Sequence, residues 1–333
     1  MKFRRKSLII TLVLALAFFI FVKALPSNDF SDNQAGPEIE FKISDGELGS
    51  TIADNLQNLG VIKSSEKFIE EFNKNAKARG ISPGSHRINT NLPVAKAISQ
   101  LLDSKRLNNL VVVSEGSTLS DVLQILKAND HISKTNLDYR SVKALYPKAT
   151  TSLEGSLFPA HYTFEDETTL AKALETMVNK ARVESRKSGI NNGYENYSPF
   201  EVLTIASMVQ IEGDPSNFAK VARVIYNRLK IGMALQLNST VQYAADLRGR
   251  ITLSNKATQI NSPYNTYKRL GLPPTPISNP SNGAIEATLK PVDGDWLYFI
   301  TVAPRDTRFT KDFAEFSKWN TEFNKNVAAG KFK

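Results

Sequence analysis

Hydrophobic positions recur at helical spacing in several segments of the chain. Leu119, Val122, Leu123 and Leu126 stand at i, i+3, i+4 and i+7, which predicts an amphipathic helix. Similar patterns predict helices over residues 66–78, 94–102, 166–188, 199–212, 216–230 and 312–324. A short aromatic run at residues 296–302 predicts a strand. Because the chain mixes short strands with segregated helices, the pattern predicts an α+β fold.

The N-terminus combines a basic cluster with an apolar segment. Residues 8–22 hold no charge, and they follow four basic side chains between positions 2 and 6. We expect residues 1–6 to stay in the cytoplasm and residues 7–25 to form a single transmembrane helix. A cleaved signal peptide is the alternative, because residues 22–24 place small side chains where a signal peptidase needs them. In both cases the rest of the chain works outside the cytoplasm.

An offset of 70 residues aligns two copies of a strand, turn and helix. Residues 41–46 (FKISDG) match residues 111–116 (VVVSEG), and apolar positions of the following helices match as well. We expect a flexible linker at 26–38, a small β/α module at 39–108 and its second copy at 110–150. Such modules present a shallow groove to a polymer. A chance likeness of two βα pieces is the alternative.

Composition removes several classes of function. The chain has no cysteine, which excludes disulfides, thiol nucleophiles and lipoprotein acylation. The formal net charge of +9 attracts polyanions in general, but the basic residues form no run or aromatic-interleaved stripe, so we expect no nucleic-acid binding. His86, His131 and His161 are scattered along the chain. We expect them on the surface or in loops, with no metal site.

The helix predicted over residues 199–212 carries the strongest candidate for chemistry. Ser198, Pro199 and Glu201 form a capping box at its start, which gives Glu201 a structural role. Glu212 falls in the last turn, at the edge of the apolar stripe. The negative end of the helix dipole and apolar neighbours both raise a carboxyl pKa, as an acid that protonates a glycosidic oxygen requires. From position alone, an ordinary solvent-facing glutamate is the alternative.

A segment rich in aromatic and amide side chains follows at residues 261–267, before the stiff proline loop at residues 271–274. Aromatic rings stack on the apolar faces of sugars, and amides bond to hydroxyl and acetamido groups. Tyr264 and Tyr267 are therefore candidates for carbohydrate contact. The alternative is that both rings pack the loop.

Five blocks, in order, resemble the endolytic murein transglycosylases of the MltG/YceG-like family. They are residues 154–159 (EGSLFP), 206–212 (ASMVQIE), 221–236 (VARVIYNRLKIGMALQ), 264–267 (YNTY) and 271–280 (GLPPTPISNP). The N-terminal helix and the modules, which are LysM-like in that family, match its layout, so the resemblance covers nearly the whole chain. The departures are Gln210, where many members have an acidic residue, and residues 160–161 and 238–239, where Asp-Thr and Asp-Pro are common.

The resemblance implies non-hydrolytic cleavage of peptidoglycan between N-acetylmuramic acid and N-acetylglucosamine. Cleavage leaves a 1,6-anhydro end and terminates a nascent strand. The family's catalytic glutamate maps onto Glu212, and no metal or cofactor is required. Expected substrate contacts are Glu154, Asn227, Gln236, Thr240, Tyr264 and Asn265. For Glu154, Asn227 and Gln236 a structural role is the alternative.

The resemblance also implies a location and partners. We expect a catalytic domain at residues 109–333 on the outer side of the cell membrane, near penicillin-binding or elongation-complex proteins. Two other functions stay open. One is a hydrolase that uses Glu212 with Glu154 as a second carboxylate. The other is a non-catalytic, wall-binding scaffold for the synthases, which the departure at Gln210 keeps open.

Overall fold

A computed structural model describes residues 28–44, 46–134, 139–145, 147–247, 253–254 and 256–332. The predicted anchor at residues 7–25 and the stub before it lie outside these residues. Within the described ranges no helix has both the length and the apolar character needed to cross a membrane. The chain divides into two compact units, one ending at Leu110 and one beginning at Val111.

The first unit packs three helices against a two-stranded sheet. Strands β1 (Glu38–Ile43) and β2 (Gly84–Asn89) are antiparallel, with Glu38 opposite Asn89. The helices are α1 (Gly49–Asn58), α2 (Ser65–Lys74) and α3 (Val94–Leu102). Short 3₁₀ segments lie at Ala76–Gly80 and Ser104–Arg106. The core of the unit is apolar and closed, with side chains from every element: Phe41, Ile52, Leu56, Phe68, Ile88, Val94, Ile98 and Leu101.

His86 corrects one expectation from the sequence. It lies on β2 with none of its surface exposed, whereas a surface or loop position was expected. Its Nε2 lies 2.8 Å from the carbonyl oxygen of Ser82, and its Nδ1 has no hydrogen-bond partner among the described residues. Burial lowers the pKa of His86, so the ring is held in its neutral form.

The second unit begins with a strand and helix that repeat the order of β1 and α1. Strand β3 (Leu110–Val112) pairs with β4 (His161–Thr163), and α4 (Leu119–Ala128) starts at a capping box of Thr118 and Asp121. Helix α5 (Leu170–Ser188) packs on the same core. A 3₁₀ segment with an internal kink lies at Tyr139–Leu145. In both repeats the strand pairs with a partner more than forty residues further along the chain.

Four helices form the next layer of the second unit. They are α6 (Pro199–Glu212), α7 (Phe218–Lys230), α8 (Asn238–Ala245) and α9 (Asn282–Leu289). Two 3₁₀ segments, Ile190–Asn192 and Ala257–Gln259, lie in the connections. The predicted capping box starts α6 as expected. The middle of α6 is buried on all sides rather than along one stripe, because α7, α8 and α9 all contact it.

The chain ends in a hairpin and a helix. Strands β5 (Tyr298–Ala303) and β6 (Asp306–Thr310) are antiparallel, and α10 (Phe313–Ala328) packs on β5. The fold is α+β, with ten α-helices and three two-stranded sheets among the described residues. Strands β2, β4 and β6 and helix α9 were not predicted. Residues 238–240 are polar, yet they begin α8.

Candidate active site

Glu212 is the last residue of α6, and the chain turns sharply behind it. Gly213 ends the helix, and its N–H still donates to the carbonyl oxygen of Val209, 3.1 Å away. A Cβ atom on Gly213 would come within 3.1 Å of Phe218 Cδ1 and 3.3 Å of Val221 Cγ2. A glycine therefore lets α7 start close beside the end of α6. This packing places the Glu212 carboxylate among three helices.

The carboxylate of Glu212 meets the N-terminus of α8. Its Oε1 accepts a hydrogen bond from the backbone N–H of Ser239, at 3.0 Å. Burial raises the pKa of Glu212, and the N–H and hydroxyl of Ser239 and the charge of Arg228 offset the rise only in part. The carboxyl group is therefore protonated to a higher pH than an exposed glutamate, while a helix N-terminus supports its ionised form. A group held in this way can both donate and accept a proton.

Two further residues interact with Glu212 electrostatically: Arg228, which was not singled out from the sequence, and Tyr267, which was a candidate for carbohydrate contact. Arg228 on α7 is buried, and its guanidinium donates to the carbonyl oxygens of Leu235 and Leu297, both at 2.6 Å. Tyr267 is half-buried, and its hydroxyl donates to Asn238 Oδ1 at 2.7 Å. Burial, and then the charge of Glu212, raises the pKa of the Tyr267 phenol. Arg228 carries no signal of its own in the sequence, since only packing reveals its neighbours.

Two cavities lie in the region of α4 and α8, and Glu212 itself lines neither, although its neighbours Ile211 and Ser239 line one of them. The nearer one has a volume of about 330 Å³, and its walls include Ile211, Ser239, Thr118 and Tyr243. The second has a volume of about 690 Å³, and Glu154 and Tyr264 are among its walls. Thr118 and Tyr243 line both cavities, so the two adjoin, and together they are called the groove below.

Glu154 is part of the wall of this groove. Its side chain is 2% exposed, with Oε1 accepting from the N–H of Leu119 at 2.9 Å and Oε2 accepting from the Tyr243 hydroxyl at 3.0 Å. Gly155 follows at a positive φ of 77°, and a Cβ there would meet Pro276 Cβ at 2.6 Å. The EGSLFP block therefore contacts the start of α4 through Leu119, α8 through Tyr243, and the segment after the proline loop through Pro276.

Tyr264 lies in the wall of the larger cavity. Its ring is half-buried, with its centroid 5.0 Å from that of Tyr243, and its hydroxyl is 2.8 Å from Thr275 Oγ1. The two tyrosines present adjoining aromatic surfaces to the groove, which suits the apolar face of a sugar ring. Of the expected substrate contacts, Tyr264 and Glu154 are the two that line the groove.

Thr240 and Asn265 are fully buried, which removes them from direct contact with a ligand. Thr240 Oγ1 donates to the carbonyl oxygen of Leu237 and lies 2.9 Å from Thr266 Oγ1. Asn265 Nδ2 donates to the carbonyl oxygens of Thr258 and Ile260, and its Oδ1 accepts from the N–H of Tyr267. Both residues hold the loop that carries the tyrosines. A polar residue in a motif looks the same in sequence whether it bonds to backbone or to ligand.

Asn227 and Gln236 differ in their surroundings, because the side chain of Asn227 bonds to backbone carbonyl oxygens whereas Gln236 is exposed. Asn227 Nδ2 donates to the carbonyl oxygens of Gly294 and Trp296, which ties α7 to the segment before β5. Gln236 is exposed and adopts a positive φ of 48°, and its N–H donates to the carbonyl oxygen of Thr266. Neither residue lines the two cavities beside Glu212. For Asn227 the structural role that the sequence left open is the one its contacts support.

Gln210 also has a structural contact. Its Oε1 accepts a hydrogen bond from the N–H of Ser281, the residue that caps α9, at 2.9 Å. A neutral amide oxygen performs this role as well as a carboxylate. Glutamine in place of the acidic residue that many family members have at position 210 therefore keeps this contact, and it does not change Glu212 itself. Across the described residues, no cluster of histidine and acidic side chains has the arrangement of a metal site.

Comparisons with known proteins agree on one family. The model of the YceG-like family matches residues 41–322. An endolytic murein transglycosylase of Bacillus subtilis (strain 168) is 33% identical over 304 residues, which are 84% of this chain and 83% of that protein. One of Streptococcus pneumoniae (strain D39) is 39% identical over 155 residues, which are 44% of this chain but 28% of that protein.

A solved structure has the same fold. The crystal structure of a yceG-like protein from Listeria monocytogenes superposes with a TM-score of 0.58 at 26% sequence identity. The match covers 84% of this chain and 98% of that one.

Proposed function

Because this chain belongs to the YceG-like family, we propose that it is an endolytic lytic transglycosylase of peptidoglycan, with Glu212 as its acid and base. The substrate is the glycan strand, cut between N-acetylmuramic acid and N-acetylglucosamine. The product carries a 1,6-anhydro-N-acetylmuramic acid end, which stops elongation of a nascent strand. No metal or cofactor takes part in this reaction.

The reaction needs one group that first donates and then accepts a proton. Glu212 protonates the leaving oxygen of N-acetylglucosamine as the bond to the anomeric carbon breaks. The ionised carboxylate then removes the proton of the muramic acid 6-hydroxyl, whose oxygen forms the new bond to the same carbon. The substrate's acetamido group stabilises the positive charge between these steps. Glu212 ends the cycle protonated, and no water is consumed.

The surroundings of Glu212 are the observation that carries this proposal. Burial raises the pKa of the Glu212 carboxyl, which favours the protonated form that the first step requires. The N–H of Ser239 bonds to Oε1 and stabilises the ionised state that the first step leaves behind. The groove beside it is lined by Tyr243 and Tyr264, whose rings suit sugar faces. Glu154 supports this groove by holding Tyr243.

The remaining expected contacts support the groove less directly. Thr240 and Asn265 act through the loop that they hold, and Asn227 acts through the packing of α7. Gln236 is exposed, so a direct contact to a long strand is open to its side chain.

A hydrolase with Glu154 as second carboxylate is the weaker alternative. Both oxygens of Glu154 accept hydrogen bonds from the protein, and its side chain is almost fully buried. A nucleophile or a base for water needs a free oxygen facing the substrate. A non-catalytic scaffold is not favoured either, since the relatives are named as enzymes.

The test is digestion of purified peptidoglycan by the full-length protein, followed by mass spectrometry of the products. We expect anhydro-ended fragments from the wild type and a rate at least about 10²-fold lower for Glu212→Gln, the usual scale for a lost general acid. The matched control is Glu201→Gln, the same change at the other end of α6, where the side chain only caps the helix. Reducing ends in place of anhydro ends would indicate the hydrolase, and equal activity of both variants would indicate that Glu212 is not the acid.

We further propose a location and an assembly that rest on the sequence. Residues 7–25 would anchor the chain in the cell membrane as a single pass, with the N-terminus in the cytoplasm and the catalytic domain at residues 109–333 outside. Residues 39–108 and the repeat at 110–150 would act as LysM-like modules on glycan. Penicillin-binding or elongation-complex proteins would be the partners. Fractionation of cells with a protease-accessibility assay tests the topology, because only an exported domain is cut from outside.

A further inference from the structure

Tyr267 is linked to Glu212 through the first turn of α8. Its hydroxyl donates to Asn238 Oδ1 at 2.7 Å, and Asn238 is the first residue of that helix. The next residue, Ser239, donates its backbone N–H to Glu212 Oε1 at 3.0 Å. The phenol and the carboxylate are therefore joined in series by a hydrogen bond, one peptide bond and a second hydrogen bond.

The hydrogen bond from Ser239 to Glu212 depends on where the first turn of α8 lies. The N–H groups of a first turn have no partner inside their own helix, so α8 by itself does not hold this one against α6. Tyr267 belongs to a separate segment, which Asn265 holds by two hydrogen bonds to backbone carbonyl oxygens. That segment therefore gives the start of α8 a fixed point outside the helix.

The contact from position 239 is a feature of this chain and not a requirement of the family's reaction. Proline is common at this position in the family, and proline has no N–H to donate. The contact instead affects the balance between the two forms of Glu212, because hydrogen bonds to a carboxylate stabilise its ionised form. Burial raises the pKa of Glu212, and the hydrogen bonds from Ser239 lower it.

We propose that Tyr267 is a positioning residue, whose hydroxyl holds Asn238 and thereby keeps the N–H of Ser239 on the Glu212 carboxylate. The inference rests on the proposed function and gives Tyr267 a role in the same site other than contact with sugar. In this role Tyr267 transfers no proton and touches no reacting atom. It sets how readily Glu212 gives up its proton in the first step and takes one back in the second.

The other charged groups around Glu212 do not account for such an effect. Arg228 on α7 acts on Glu212 electrostatically, and a guanidinium keeps its charge across the range of an assay. Burial, followed by the charge of Glu212, raises the pKa of the Tyr267 phenol, so it stays neutral there as well. Glu115 and Asp121 are carboxylates that line the smaller cavity, and both are present in every variant compared.

Removal of the Tyr267 hydroxyl should move the pH dependence of the rate. The reaction starts with Glu212 protonated, so kcat falls as the pH rises through the pKa of Glu212. Complete loss of a hydrogen bond to a charged group corresponds to about one to two pH units. Thr266 still bonds to Leu237 and Thr240, which keeps the turn partly in place. For Tyr267→Phe we therefore expect a shift of about half to one unit toward higher pH.

The experiment measures kcat and KM for anhydro-end formation from acid to alkaline pH, with full-length wild type, Tyr267→Phe, Asn238→Ala and the double variant. If one hydrogen bond carries the effect, both single variants shift the profile alike and the double variant shifts it no further. Tyr226→Phe is the matched control, because it also removes a tyrosine hydroxyl bonded to one acceptor, the carbonyl oxygen of Thr288. We expect this control to lower the Tm without moving the profile, since its hydrogen bond joins α7 to α9 and does not involve α8.

A second measurement follows Glu212 without reference to catalysis. NMR of the Glu212 carboxyl carbon in glutamate-labelled protein, assigned with Glu212→Gln, gives the pH at which this group titrates. Thermal unfolding accompanies each variant, and Asn238→Ala tests the same hydrogen bond from its other end if Tyr267→Phe does not fold. A higher titration point in either variant, with Tyr226→Phe unchanged, supports the positioning role.

Three results would overturn the role of Tyr267. The first is a pH profile and a titration that both stay in place. The second is an effect of Tyr267→Phe that persists in full when Asn238 is already alanine, because the two residues would then act separately. The third is a rise in KM alone, since the phenol would then contact the sugar. If the wild type itself releases no anhydro ends, the proposed function fails, while the titration of Glu212 still decides the role of Tyr267.

Discussion

Replacement of Glu154 distinguishes a carboxylate that holds the fold from one that performs chemistry. Glu154→Ala removes both hydrogen bonds, to the N–H of Leu119 and to the hydroxyl of Tyr243. Glu154→Gln keeps the shape of the side chain. Its amide oxygen can still accept from Leu119, and its NH₂ group can donate to the Tyr243 oxygen.

The size of the effect follows from these two contacts. In the alanine variant the buried N–H of Leu119 loses its partner, which costs about 1–3 kcal/mol. The carboxylate also faces the N-terminus of α4, and losing that charge costs about 0.3–1 kcal/mol more. The free energy of unfolding should therefore fall by about 1–4 kcal/mol for Glu154→Ala and by about 1 kcal/mol or less for Glu154→Gln. In a domain of this size that corresponds to a Tm lower by roughly 2–16 °C for alanine.

The assay combines thermal unfolding, followed by near-ultraviolet circular dichroism, with the rate of anhydro-end formation below the Tm of every variant. We expect Glu154→Gln to keep its activity within about threefold of the wild type, because Tyr243 stays in place and the net loss of one altered hydrogen bond is small. Glu175→Gln is the control, since Glu175 is a partly exposed residue of α5 that pairs with Lys172, and such surface pairs contribute little.

Two results would refute this reasoning. If Glu154→Gln were as inactive as Glu212→Gln and melted like the wild type, the charge of Glu154 would be needed for the reaction, as in a two-carboxylate hydrolase. If Glu154→Ala melted like the surface control, the two hydrogen bonds would contribute nothing to the fold.

Two pH dependences follow from the buried groups. The pKa of Glu212 is raised in the folded protein, so folding binds a proton that the unfolded chain releases above about pH 4.5, and the wild type loses stability as pH rises from there to the folded pKa. Denaturation with urea should find Glu212→Gln more stable at neutral pH and equal at pH 4; equal stability at both would contradict the raised pKa. The pKa of His86 is lowered, so stability is fully present above about pH 6.5 and falls as the pH drops toward the folded pKa. His86→Gln should remove that slope, and a slope that persists would assign it to another group.

Local signals in the sequence were sufficient to predict the helix that carries Glu212. The capping box at Ser198 and Glu201 and the glycine at position 213 predicted both ends of α6, because capping depends on side chains three residues apart. Helix α3 was predicted at its observed bounds for a similar reason, with Pro93 directly before it. The blocks shared with the family were enough to single out Glu212.

Other elements escaped prediction because their stability comes from partners far along the chain. Strand β2 holds six residues and is paired with β1, more than forty positions earlier. Residues 238–240 are polar and look like a turn, yet they begin α8 because Ser239 and Thr240 find partners in Glu212, Leu237 and Thr266. Propensity describes a residue by itself and its near neighbours, so it is silent about such contacts.

The sequence by itself therefore determined the family, the α+β class, the helix with Glu212 and the absence of thiol chemistry. The tertiary structure decided what surrounds that carboxylate. It buried Asn265 and Thr240 among backbone groups, brought Arg228 and Tyr267 near Glu212, and placed the N–H of Ser239 against the Glu212 carboxylate. The physical reason is that a residue type fixes which bonds a side chain can make, whereas only packing decides which atoms lie within the 3 Å or so that a hydrogen bond allows.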